Sequence, residues 1–400
     1  MLKAIYLRLR ALLSVVGMLV SLVWRFGKMR LALLLLVVVG GAATLYFFWG
    51  RLPAPVVVYD VASMEQGWTE DQRERYYQTD QGTLIVPYTW FLSLELPPTL
   101  KLVENLQLFR GNANVTRYRL IPDPRPKYNK YLLPIGLTKA TVEDDLVEDL
   151  GLGHKEWLSF SCAACHTAQM TYKGLGVRID GAPANWDFSQ FSTNMTATLA
   201  VTFGAPTKFQ RFARRVLALE GRPDTVAERE RLRKQVDRYL KWPLVTDAFR
   251  TTLDKTYPVR EGSGRTDALG RGGNLQFAPL SWDNVRSSDA PVSFPPLWYT
   301  HDYDWVQSTT GIRQPLGRNV TESWGVNVIV DVTNQDPHKL FRSTHPMFNL
   351  FWMETLLSFL DPPTWPAEIF GPVDPVLAEK GRQLYEEAVW ENPRPAADEI

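Results

Sequence analysis

Ser161-Cys162-Ala163-Ala164-Cys165-His166 is the stretch on which the reading of this 400-residue chain turns. Two cysteines three residues apart set two thiols on one turn, where each can form a thioether to one haem vinyl group. The adjacent histidine is then delivered to one face of the iron as an axial ligand. The rival readings lack their parts. A thioredoxin-type pair belongs beside a βαβ pattern and needs no histidine after the second cysteine. A structural zinc site needs four ligands, and this chain has two cysteines and no second pair at finger spacing. Cys162 and Cys165 are therefore the expected points of covalent attachment of one haem c, and His166 the expected axial ligand of its iron.

Working toward the N-terminus, residues 1 to 50 contain no acid and two apolar runs. The first, Ala11 to Trp24, is 14 residues long and too short to span comfortably; the second, Leu31 to Trp49, is 19 uncharged residues, about the length that crosses a hydrocarbon core. Lys3, Arg8, Arg10, Arg25, Lys28 and Arg30 precede it and Arg51 alone follows closely. The positive-inside rule then leaves the N-terminus in the cytoplasm and the rest outside, with Tyr46, Phe47, Phe48 and Trp49 as an interfacial belt. An uncleaved anchor is preferred to a cleaved signal because the basic region is long and no clear small-x-small site follows. This agrees with the attachment motif, since bacterial c-type haem is attached on the outer side of the cytoplasmic membrane.

The body is 45% apolar and 22% charged across the whole chain, an ordinary globular balance. A net charge of +1 without a basic repeat gives no nucleic-acid signal. Twenty-eight prolines and 14 tryptophans predict a compact body with long, Pro-punctuated connections. Leu52-Pro53-Ala54-Pro55 is a short linker. Trp68 to Tyr77 reads as a helix capped by Thr69, and Thr141 to Leu150 as an acidic helix with a solvated face. Arg178-Ile179-Asp180-Gly181 reads as a strand ending in a turn. Between Thr207 and Lys241, Phe209, Phe212, Val216 and Leu217 form one stripe and Leu232, Val236, Tyr239 and Leu240 another. The break at Gly221-Arg222-Pro223 makes a helical hairpin, with Thr225 and Glu228 boxing the second helix. Its eleven Lys or Arg against five acids suit a soluble face better than a docking surface. Gly262 to Asn274 lacks the Gly-Lys-Ser/Thr ending of a phosphate loop and reads as a flexible loop. The last helix expected before Asp361-Pro362-Pro363 is Phe348 to Leu360.

Taken in order, several segments resemble the bacterial dihaem cytochrome c peroxidase-like proteins, in the branch similar to haem-containing rubber oxygenases. These are Gln81 to Phe91, Cys162 to His166 with Arg178 to Gly181, Gly264 to Asp267, Phe294 to Trp298, Gln307 to Asn319 and Pro362 to Pro366. The resemblance implies a mainly α, cytochrome c-like haem domain with long irregular loops and insertions over residues 51–370, behind a transmembrane anchor in residues 1–50. It implies peroxidase-like electron transfer to peroxide or oxygen, a cytochrome or quinol donor, and a relay tryptophan that is Trp298 or Trp305. Gly381 to Glu387 is similar to the helix that opens the family's second haem half, so residues 371–400 read as an incomplete start of that half. No second CxxCH follows. Ala388 to Ile400 is expected to be disordered or loosely docked, as in a truncated chain. The rival functions are a monohaem electron carrier, whose iron is closed by a second side chain, and an inactive remnant. Candidate second ligands are His154, His301, His345, Met170, Met195 and Met347; His301 stands out because it lies between Trp298 and Trp305.

Overall fold

The computed structural model describes Val39 and residues 58–96, 107–125, 129–241, 259–305 and 311–389. Two compact units interleave along the chain. One takes the described residues of 89–122 and 187–263, the other those of 57–88, 123–186 and 264–389.

The first unit is helical. Phe188–Gly204, Pro206–Leu219 and Val226–Leu240 follow one another, separated where the sequence breaks them. Pro206 opens the second helix at a position whose N–H has no helical partner anyway. Gly221 takes φ +65° at the bend, and the Thr225 hydroxyl accepts from Glu228 N at 3.2 Å. The two predicted stripes are buried at Phe209, Phe212, Val216, Leu217, Leu232, Val236 and Tyr239. A second cluster packs Phe91, Phe109, Tyr118 and Phe191 with ring centroids 5.6–6.2 Å apart. Burying each such ring contributes about 1.5–3 kcal/mol. Much of the basic surplus is paired internally: Arg211 and Arg215 converge on Glu95 at 2.8 and 2.5 Å, Arg222 bridges Glu220 and Glu228, and Arg229 holds Asp224.

The second unit carries all the described sheet. Strand β1 (Asp60–Ser63) lies parallel to β5 (Leu175–Asp180), which pairs antiparallel with β4 (Thr167–Tyr172). Strands β2 (Leu137–Thr141) and β3 (Glu156–Phe160) form an antiparallel pair, as do the two-residue strands β6 (Arg265–Thr266) and β7 (Val292–Ser293). The β4–β5 hairpin turns on Lys173-Gly174, both at positive φ (+50° and +85°), the backbone that a two-residue hairpin loop requires. The helix Glu70–Gln78 begins at the expected cap, Thr69, and Gln72 completes a capping box with it. Its Arg73 and Tyr77 grip the end of β5, through Arg73 Nε to Asp180 Oδ2 at 2.7 Å and Tyr77 Oη to Asp180 Oδ1 at 2.6 Å.

This architecture corrects the expectation of a mainly α, cytochrome c-like domain. The structure is 44% helical with 12% strand in mixed sheets, and the described residues show no cytochrome c fold. The strands are two to six residues long, too short to set up an alternation that the eye can separate from Pro-rich loop. Among the described residues no helix is long and apolar enough to cross a membrane; Leu31 to Trp49, Val39 apart, lies outside them. Gly262 to Asn274 is not all loop either. Asp267 caps a helix, Ala268–Phe277, by accepting from Gly270 N at 2.9 Å. That helix lies against Pro315–Trp324 so closely that a Cβ on Gly272 would meet Trp324 Cβ at 3.2 Å, which accounts for glycine inside it. The acidic segment forms Asp144–Asp149, with Asp145 and Asp149 paired to Arg342 and Asp149 to Lys339. The helix expected over Phe348 to Leu360 runs Met347–Leu357. Gly381 to Glu387 lies within the helix Pro375–Val389, which is exposed from Pro375 to Ala388. Of the end expected to be disordered or loosely docked, Ala388 and Val389 close that helix and 390–400 lie outside the described residues.

Candidate haem-attachment site

The attachment stretch forms one helical turn, Ala163–His166, between β3 and β4, with Cys162 at its N-terminal cap. Its backbone is held from four sides. Ser161 N donates to Gly136 O at 2.9 Å and Ala164 N to Ser161 O at 3.1 Å, while the Cys165 carbonyl accepts from Ala184 N at 2.9 Å. The His166 carbonyl accepts from the hydroxyl of the fully buried Tyr76 at 2.8 Å. Gly136, at φ +83°, lies directly against the turn; a Cβ there would stand 2.2 Å from Ala164 N and 2.3 Å from Ala164 Cα. Only glycine permits that approach.

His166 Nδ1 lies 2.8 Å from the Pro295 carbonyl oxygen. A carbonyl only accepts, so Nδ1 carries the proton and the lone pair sits on Nε2. Among the described residues Nε2 has no hydrogen-bond partner. Burial pushes the imidazole down to about 4, against the Pro295 hydrogen bond and helped by the charge of Arg318, so it is neutral at neutral pH. A neutral ring fixed through one nitrogen and open at the other is the form in which histidine binds a metal.

The two thiols are not joined to each other. Cys162 Sγ is buried and accepts from Gln81 Nε2 at 2.8 Å. Burial, with the charge of Glu354 next, pushes its thiol up to about 12, and Cys165 is raised well above the ordinary range, again by burial first. A disulfide-exchange pair needs a depressed thiol; this pair is the reverse. Among the described residues no group of three or more His, Cys, Asp or Glu could hold a bare ion. Two separate thiols and a free imidazole nitrogen on one turn form the donor set that a covalently attached haem uses, so the residues fit that group.

The other sequence candidates lie in different settings. Trp298 Nε1 donates to Asp180 O at 3.0 Å, and Leu297 N to Gly181 O at 2.9 Å. Trp298 thus belongs to the same Phe294–Trp298 segment that supplies the His166 hydrogen bond, whereas Trp305 is 53% exposed. His301 is on the surface with Nε2 3.1 Å from Asp302 Oδ1. His345 has both nitrogens engaged, Nδ1 with Ser343 Oγ and Nε2 with Ser323 Oγ and the Val320 carbonyl. His154 sits edge-on to Trp157, Met170 and Met347 are half-exposed, and Met195 is buried in the first unit. The residues that frame the turn, namely Tyr76, Gln81, Gly136 and Pro295, have no assigned role in the sequence reading; nothing local marks them.

Comparison with known proteins adds one relative. The chain is 33% identical over 362 residues to the uncharacterized protein y4iJ of Sinorhizobium fredii (strain NBRC 101917 / NGR234). The match takes in 84% of this chain and 58% of the relative, so the chain spans little more than half of that protein's length. No family model and no solved structure matches.

Proposed function

We propose that this chain is a c-type haem redox protein, with one haem bound through Cys162 and Cys165 and with His166 Nε2 on the iron. The observation that carries the reading is the Pro295 hydrogen bond, which fixes the His166 tautomer and leaves Nε2 open on the turn that bears both thiols. Bound haem supplies reversible one-electron iron chemistry. The reaction class we favour is peroxidase-like electron transfer to peroxide or oxygen, with electrons from an external cytochrome or quinol. It is supported by His345, whose nitrogens are both taken, and by His301, a surface residue whose Nε2 lies at Asp302. Trp298 is the better relay candidate, since Trp305 is exposed.

The spectrum of the purified holoprotein tests the reaction class. A high-spin ferric haem is expected; a low-spin ferric haem with two protein ligands would make the chain an electron carrier instead. We place the body outside the cytoplasmic membrane, held by Leu31 to Trp49, because six cations precede that run and no acid does. A reporter fused after Arg51 should work only if it is one that requires the periplasm, and activity of a cytoplasmic reporter would refute this.

A further inference from the structure

The sequence holds one CxxCH, and hydrogen peroxide takes up two electrons when its O–O bond is reduced. Iron cycles one electron at a time, so peroxide chemistry on a single haem calls for a second electron donor in the protein. Three buried rings lead away from the attachment turn. Tyr76 touches it, its hydroxyl donating to the His166 carbonyl at 2.8 Å. The Trp68 ring lies 4.8 Å from that of Tyr76 and the Tyr77 ring 5.9 Å from it, centroid to centroid. Tyr76 and Tyr77 are wholly buried and Trp68 is 5% exposed.

What separates the three is where a proton can go. An aromatic side chain that loses an electron becomes a strong acid, and it keeps the hole when its proton has a base to move to. Tyr76 Oη faces the His166 carbonyl and Trp68 Nε1 the Leu356 carbonyl, the latter at 3.1 Å; an amide carbonyl accepts hydrogen bonds but is no base at neutral pH. The Trp298 indole likewise meets a carbonyl, that of Asp180. Tyr77 Oη donates instead to a carboxylate, Asp180 Oδ1, at 2.6 Å, a short charge-assisted contact within reach for direct proton transfer. Asp180 is 1% exposed and is held on its other oxygen by Arg73 Nε at 2.7 Å, so the acceptor stays in place. Burial first, and the Asp180 charge next, push the phenol well above its ordinary range, so it is protonated at rest.

We infer that Tyr77 is a redox-active tyrosine that gives the second electron when peroxide is reduced at the haem. The inference rests on the haem and the reaction class proposed above and names the residue that completes the electron count. Tyr77 gives one electron toward the haem by way of Tyr76 and its phenolic proton to Asp180 Oδ1, becoming a neutral phenoxyl radical. The other electron comes from the iron; the O–O bond of peroxide breaks and both its oxygens are reduced to the level of water. One electron from the cytochrome or quinol donor, with the proton returned by Asp180, restores the phenol.

The test uses the haem-loaded protein in its ferric form, mixed with hydrogen peroxide, freeze-quenched and examined by electron paramagnetic resonance. Separate preparations carry ring-deuterated tyrosine or ring-deuterated tryptophan. The expected radical signal narrows with the tyrosine label, keeps its width with the tryptophan label, and is lost in Tyr77→Phe at unchanged haem content and resting Soret spectrum. Asp180→Asn keeps an acceptor oxygen but not the base, and should lose the signal too. A tyrosyl signal undiminished in either variant, a signal that narrows with the tryptophan label, or a parent that consumes peroxide without a protein radical would each overturn the role of Tyr77. A parent whose ferric spectrum does not respond to peroxide would instead overturn the reaction class beneath the inference, and a parent without covalent haem the functional reading as a whole.

Discussion

Replacing Gly136 by alanine probes how the attachment turn is held. The backbone there is left-handed, which costs a residue with a Cβ about 1–2 kcal/mol. The new Cβ would also stand 2.2 Å from Ala164 N and 2.7 Å from Ala164 Cβ. Those atoms belong to a turn pinned by Gly136 O, Tyr76 and Ala184, so relief requires backbone movement, and overpacking of that kind adds about 1–3 kcal/mol. The sum, about 2–5 kcal/mol, is a large share of an ordinary domain's stability and lowers the melting temperature by on the order of 10 °C for a unit of this size. Gly151→Ala is the control, since it also has positive φ (+61°) but nothing within 4 Å of the added Cβ. It should lose only the backbone contribution, about 1–2 kcal/mol. Thermal unfolding followed by circular dichroism, together with the yield of covalently attached haem, reads both effects. Gly136→Ala should lose haem and Gly151→Ala should keep it; equal destabilisation by the two, with equal haem yield, would refute the close-approach argument.

Glu74 is 3% exposed and beside Arg125, and burial pushes its carboxyl from the ordinary 4.5 up to about 7. The folded state thus keeps a proton that the unfolded chain has released between those values, so this group lowers stability as pH rises through that window, most fully above about 7. Urea unfolding at pH 5 and pH 8 should show a smaller difference for Glu74→Gln than for the parent, and an unchanged difference would refute the assignment. His301→Ala should leave the Soret spectrum as it is, while His166→Ala should change it or abolish haem retention. Equal effects of the two substitutions in absorption spectra would mean that the iron ligand is misassigned.

What the sequence made legible was local. The cap at Thr69, the hairpin with its buried stripes, and the attachment turn are each written within a few neighbouring residues, where 3.6-residue periodicity, caps and spacing act. The frame of the site is not local. His166 meets the Pro295 carbonyl across 129 positions, the Tyr76 hydroxyl reaches the His166 carbonyl across 90, and Gln81 reaches Cys162 across 81. A backbone carbonyl leaves no mark on residue type, and the need for glycine at 136 comes from a turn 28 residues later whose approach only the fold creates. The helical expectation for the body failed for a related reason. Strands as short as β6 and β7 exist through pairing with a distant partner, Arg265 with Ser293 and Thr266 with Val292, and pairing is invisible in a single strand's pattern.

Covalent haem on the Cys162–Cys165 turn is tested most directly by mass spectrometry of the tryptic peptide Glu156 to Lys173, which holds both cysteines. The protein should be produced in a host that matures c-type cytochromes. The account predicts this peptide carrying the mass of one haem, with both thiols blocked, and its loss in Cys162→Ser/Cys165→Ser. Recovery of the bare peptide with two free thiols from such cells would contradict it.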